Sequence, residues 1–168
     1  MKEQDWVEDI FSAWAREFPD EDTTALKTMT RLARLDLLLA TFQQQCLSPL
    51  DLVMSDFMVL ASLRRLGAPY QATPSTLYNV MERSSGGMTK MIKRLESMEL
   101  VERLPDPADG RGSLVRLTKR GFDIHGKAFH RFVEGSNALL EDASVTRGKT
   151  LDRSLQFLVR AFEDYQRD

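Results

Sequence analysis

The strongest constraint on this chain lies at residues 84–87, where Ser84-Ser85-Gly86-Gly87 separates two short segments with apolar residues at helical spacing. Paired glycines disfavour a continuing helix, while serine hydroxyls cap a new one, so the run predicts a turn followed by a helix. The segment that follows puts Met88, Met91, Ile92, Leu95 and Met98 on one stripe and leaves Thr89, Lys90, Lys93 and Arg94 largely outside it. Upstream, Thr73 offers a capping hydroxyl and Pro74 suits a first helical position. A short helix is expected over 74–82, with Leu77, Val80 and Met81 inward. Downstream, Leu100–Leu104 reads as a strand, 105–112 as a loop rich in proline and glycine, and Leu114, Val115 and Leu117 as a returning strand. The unit is helix, turn, helix and a hairpin with a basic tip.

Helices flank this unit on both sides. Val7, Ile10, Phe11, Trp14 and Phe18 predict an amphipathic helix over 4–18, closed by Pro19. After the polar break Asp20–Asp22, Thr23 or Thr24 can cap a helix over 24–46 whose stripe is Leu26, Met29, Leu32, Leu35, Leu39 and Phe42. Ser55 reads as the cap of a helix ending near Gly67, and Thr118 as the cap of one over 119–141, with a last helix over 147–166. The expected fold class is mainly α with a small β-hairpin. Residues 1–50 are read as N-terminal helices, 51–121 as the central unit and 122–168 as C-terminal helices.

A net charge of −2 hides a gradient. Residues 1–22 hold two basic and eight acidic side chains, whereas 81–120 hold nine basic and six acidic ones. Salt screens charges beyond about 8–10 Å, so a polyanion responds to the local patch rather than to the total. No apolar run approaches the ~20 residues of a membrane span, and Met1-Lys-Glu-Gln-Asp5 lacks the apolar core of a secretory signal. The expectation is a cytoplasmic protein with no membrane association.

Catalytic and metal chemistry find little support. Cys46 is the sole cysteine, which excludes an internal disulfide and any multi-cysteine zinc site; it reads as a small buried hydrophobe, with redox sensing as the alternative. His125 and His130 are five residues apart, off the i, i+4 spacing of a helical zinc pair. Ser84 and Ser85 sit in no Gly-x-Ser-x-Gly elbow and read as caps, and no phosphate loop occurs. The methionines of the 88–98 stripe read as core filler. No enzyme, no cofactor and no metal are expected. Lys90, Lys93 and Arg94 on their own are compatible with a merely solvated helix face; the adjoining glycine turn and basic hairpin argue for a nucleic-acid surface instead.

Four pieces in order, Phe57–Gly67, Ser85–Glu96, Leu100–Gly112 and Val115–Gly121, resemble the DNA-binding core of the multiple-antibiotic-resistance regulator (MarR) family. That resemblance implies a winged helix-turn-helix regulator, most simply a ligand-responsive repressor, which dimerises through its N- and C-terminal helices and binds a pseudo-palindromic double-stranded operator. In such a unit the second helix enters the major groove N-terminus first. Ser85, Gly86 and Gly87 would then lie near phosphates. Thr89 and Lys90 would reach base edges or phosphates, and Lys93 and Arg94 would be phosphate contacts or packing partners. Arg111 at the hairpin tip would enter the minor groove, oriented by Asp109. The family also implies a small aromatic or phenolic molecule bound between the helical and DNA-binding regions.

Trp14, Phe18-Pro-Asp20 and Arg31–Leu35 are further similar to the urate-responsive subgroup, which has an extra N-terminal helix. That likeness points to Trp14 and Met58 as ligand-facing positions, with Met58 standing where the subgroup has an aspartate; on its helix stripe alone, Trp14 reads first as core or dimer packing. The alternative from another class is a winged-helix module that binds a protein partner and no DNA, its basic face masked by residues 1–22.

Overall fold

The computed structural model describes residues 5–81, 85–141 and 145–167, and only the backbone of 80, 85–86, 110–111 and 145–147. The chain forms two compact units, 1–54 and 55–168.

In the N-terminal unit, α1 spans Trp6–Glu17 and α2 spans Thr24–Leu47. Asp5 caps α1 by accepting from the Val7 N–H at 3.0 Å, and the helix stops at Phe18, ahead of Pro19. Neither threonine caps α2 as expected. Thr23 makes no side-chain cap bond, and Asp22 accepts from the Thr24 N–H at 2.9 Å instead. Its carboxylate does a hydroxyl's task and also complements the positive end of the helix. The two helices are tied by Lys27 to Glu8 at 2.9 Å and by Arg31 to both Asp5 and Glu8 at 2.7 Å. These cations hold both carboxyls below the usual carboxylate range. Val7 and Phe11 are buried, but the α2 stripe is not: Leu26, Leu35 and Leu39 are all largely exposed. Pro49 sits in a 3-10 turn, Ser48–Leu50, and Cys46 just before it is buried.

In the second unit, α3 spans Met54–Arg65, so Ser55 lies inside the first turn and is not the cap expected of it. The chain leaves α3 through Gly67, whose φ of +77° a side chain would strain. Two residues, Gln71–Ala72, then form β1, which has no signal in the sequence. Its partner, β3, creates it through Gln71 opposite Arg116 and Ala72 opposite Val115. Helix α4 spans Pro74–Met81 and is capped as expected, Thr73 Oγ1 accepting from the Thr76 N–H at 3.1 Å. Helix α5 covers Ser85–Ser97, β2 Val101–Asp106 and β3 Asp109–Leu117, giving an antiparallel sheet of order β1-β3-β2. The stretch 105–112 is therefore mostly strand about a turn at 107–108, Pro105 facing Ser113 and Asp106 facing Asp109 across a register shift, and not wholly the turn-rich loop expected. Helices α6, Lys119–Leu139, and α7, Val145–Tyr165, complete the chain. The core comprises Leu60, Leu63, Leu77, Met88, Ile92, Leu95, Leu100 and Val115, each under 2% exposed or close to it.

Two features fasten α6 to this core. Thr118 caps it by accepting from the Gly121 N–H at 2.9 Å and donates its own hydroxyl to the Glu99 carbonyl at 2.8 Å. Gly121 lies so close that a Cβ there would run into the backbone carbonyl of Leu100. Below it, His125 is buried in a stack on Phe57, with ring centroids 5.1 Å apart and planes within 5°. Arg64 Nη1 is 3.0 Å from His125 Nδ1, and its guanidinium lies 3.9 Å over the Phe122 ring. Arginine has only protons to donate, so Nδ1 accepts and the imidazole is neutral. Burial first, and the Arg64 charge second, push its pKa down to about 4.

Two outcomes follow from this packing. Gly121→Ala should destabilise the protein by about 1–3 kcal/mol in urea unfolding, because backbone cannot move aside as a side chain can. The unfolded chain protonates His125 near its ordinary value of 6.5, whereas the folded one resists down to about 4. Stability should therefore fall as pH drops through that window. His125→Phe, which keeps the stack on Phe57, should flatten that part of the profile in unfolding curves taken across it.

Candidate nucleic-acid interface

Helix α5 divides cleanly by side. Met88, Ile92 and Leu95 are buried, Met91 and Met98 are half-buried, and Thr89, Lys90, Lys93 and Arg94 are exposed. This split follows from apolar residues recurring at three- and four-residue intervals, so the buried edge fixes which way the hydroxyl and cations point. Helix α4 lies against α5, and between them Pro74, Ser75, Tyr78, Met88 and Thr89 line a shallow cleft of about 250 Å³. Ser85, Gly86 and Gly87, read from sequence as turn and cap, are already helical, because the stripe from Met88 onward is extended backward by one turn. Gly87 is half-buried there, and Ser84, the side chain of Ser85 and the surroundings of Gly86 fall outside the described residues.

The hairpin of β2 and β3 stands beside α5 and is tied to it. Arg103 Nε meets Glu96 of α5 at 3.3 Å, and Arg103 Nη1 donates to the Ser113 hydroxyl at 3.3 Å. Its tip is closed by Asp106, which accepts from the Ala108 N–H at 2.9 Å. Asp109 is exposed and its Cβ would sit 3.2 Å from a Cβ at Gly112, so glycine there lets the strands close. The Arg111 side chain, and with it the expected pairing to Asp109, falls outside the described residues.

The basic residues counted between 81 and 120 divide into two groups that the sequence did not separate. Arg103 serves Glu96, and Arg116 serves Glu102 across the sheet at 2.8 Å. Arg94 takes the second of its two expected roles: its Nε donates to the wholly buried Asp56 carboxylate of α3 at 3.0 Å. Among the described residues Lys90 and Lys93 enter no ion pair, and both project outward. Asp56 was missed by sequence reading because its partner lies 38 residues away. As a first-turn acid of α3 it also complements the positive end of that helix.

Of the two ligand-facing candidates, Trp14 lines a cavity of about 400 Å³ in the N-terminal unit, its ring centroid 5.7 Å from that of Phe18. Met58 is a partly exposed residue of α3 in the other unit.

A helix with a buried apolar edge, a cationic outer face and an adjoining two-stranded hairpin is the geometry with which winged helices meet a DNA duplex. Residues 52–113 match the family model of the MarR family. Over 138 residues, 82% of this chain and 83% of its relative, the sequence is 31% identical to the HTH-type transcriptional regulator PecS of Dickeya dadantii. The chain belongs to the MarR family. A cysteine-to-serine mutant of MarR from E. coli, solved in complex with operator DNA, superposes with a TM-score of 0.66 at 29% identity, covering 83% of this chain and 99% of that one. An organohalide-sensing transcriptional regulator in its 2,4-dichlorophenol-bound form shares the fold, with a TM-score of 0.70 at 17% identity over 86% of this chain and 84% of that one. This MarR-family chain is accordingly a DNA-binding transcriptional regulator rather than an enzyme.

The two neighbours on α5 should separate in experiment. Lys93→Ala should leave stability within about 0.5 kcal/mol and lower the salt slope of duplex binding by about 1. Arg94→Leu removes a cation from a buried carboxylate and should cost about 1–3 kcal/mol in urea unfolding.

Proposed function

We propose that two copies of this chain grip one pseudo-palindromic operator and repress transcription until a small molecule releases them. The single observation that carries this reading is the outward cationic face of α5 beside the hairpin. Thr89 and Lys90 at the leading turn would meet base edges or phosphates, and Lys93 a phosphate. Ser85, Gly86 and Gly87 would bring backbone N–H groups to a phosphate at the helix start. Arg111, steered by Asp109, would enter the minor groove at the wing. Arg94 would act indirectly, fixing α5 on α3 through Asp56.

Dimerisation is supported by apolar surface that a lone chain leaves uncovered: Leu35, Leu37 and Leu38 on α2, Phe129 and Leu139 on α6, and Phe157, Val159 and Phe162 on α7, all over two-fifths exposed. Helices from 1–50 and 122–168 would thus pair the copies, with 51–121 as the DNA-binding part. Two-fold symmetry then sets half-sites about 10 base pairs apart. Helix α1 supports a place in the urate-responsive subgroup, and the Trp14 cavity supports an aromatic effector. Among the described residues no single helix is long and apolar enough to cross a membrane, in keeping with work on cytoplasmic DNA.

Footprinting on the DNA upstream of the gene tests the reading. Protection should cover two half-sites related by a dyad, and binding should weaken steeply with salt. Arg111→Ala should lower operator affinity by about tenfold, equivalent to one lost groove contact, with unchanged thermal unfolding. Undiminished affinity in that variant removes the wing from the interface.

A further inference from the structure

The Trp14 cavity has a chemistry of its own. Its walls are the rings of Phe11, Trp14 and Phe18 with Leu26 opposite, and its polar rim is Glu21, Asp22 and Thr23. Among the described residues no lysine or arginine lines it. Lys27 and Arg31, which follow Leu26 on α2, are already bound to Glu8 and Asp5 at 2.7–2.9 Å. The start of α2 would ordinarily welcome an anion. Here Asp22 already occupies that end, accepting from the Thr24 N–H at 2.9 Å, and Thr24 holds its carboxyl below the usual range, so it stays charged near neutrality. An incoming anion would meet two carboxylates and no donor cation, inside a segment with eight acidic and two basic residues.

A cation meets the opposite field. Aromatic faces attract positive charge through their quadrupoles, and the attraction grows as water is excluded. The same cluster already holds one such contact: the Lys27 ammonium lies 5.9 Å from the centre of the Phe11 ring while bonded to Glu8. Ring face and carboxylate together is the arrangement that Trp14, Phe18, Glu21 and Asp22 offer at the cavity.

We propose that the cavity between α1 and α2 is a binding site for a hydrophobic organic cation, such as an aryl ammonium or phosphonium compound. This rests on the reading of Trp14 as an effector-facing residue and narrows the effector to a positively charged class, setting the chain apart from regulators of anionic ligands.

Tetraphenylphosphonium and tetraphenylborate have nearly the same shape and opposite charge, so they isolate the electrostatic claim. Titration calorimetry on the full chain, with Trp14 emission followed in a Trp6→Phe background, should show the phosphonium binding at least about tenfold more tightly than the borate. Glu21→Gln combined with Asp22→Asn should cut that preference to about threefold or less. Asparagine still caps Thr24, so the helical circular dichroism should persist. Trp14→Ala should weaken the phosphonium. Equal or tighter borate binding, no saturation by either probe, or an undiminished preference in the double variant overturns the site. Operator release is measured separately: phosphonium binding that leaves the protein on its DNA upholds the cationic site and removes its regulatory role.

Discussion

Everything that faces DNA in this protein depends on the burial of one edge of α5. Met88, Ile92 and Leu95 are inserted into the core with Leu60, Leu63, Leu77 and Val115, and that insertion fixes the rotation of the helix about its axis. Each fully buried side chain of this size contributes about 1.5–3 kcal/mol, so turning the helix to present another face would forfeit several such contributions together. The Asp56–Arg94 pair sharpens the same constraint. A carboxylate with no exposed surface needs a partner, and only one rotation of α5 brings Arg94 to it. Hydrophobic burial sets the orientation coarsely and the ion pair narrows it.

Much of this was legible in the sequence because it is local. The apolar stripe of α5 and the Thr73 and Thr118 caps declare themselves within a few residues, whereas the glycines at 86 and 87 misled, being the first turn of α5 and not a break before it. What the sequence withheld depends on partners far along the chain. Strand β1 exists only because β3 passes beside it, Asp56 matters only because Arg94 reaches it, and the capping atom of α2 belongs to Asp22 because backbone geometry favoured a residue one step earlier. The charge count misled in the same way. Nine basic residues between 81 and 120 read as one local basic patch, yet Arg94, Arg103 and Arg116 are engaged with acids inside the fold. The outward charge is concentrated on fewer side chains, which favours a defined register on the duplex over diffuse attraction.

The N-terminal unit is held by a different physics. Few of its side chains are buried, and beside the buried Val7 and Phe11 its two helices are joined by the exposed pairs of Lys27 and Arg31 with Asp5 and Glu8. Exposed ion pairs contribute little individually and are screened by salt, so this pairing is readily adjusted. A loosely held helix pair with an aromatic hollow suits a part of the molecule that must accommodate a guest, while the densely filled second unit suits a part that must keep its shape.

The joint at Gly121 has a mechanical consequence. The start of α6 rests on the main chain at Leu100, with the Leu117 side chain beside the contact, and Thr118 bonds to the Glu99 carbonyl, so the helix bears on backbone at the root of the hairpin. Backbone yields less than a side chain, so the glycine makes a stiff fulcrum between a 21-residue lever and the base of the wing.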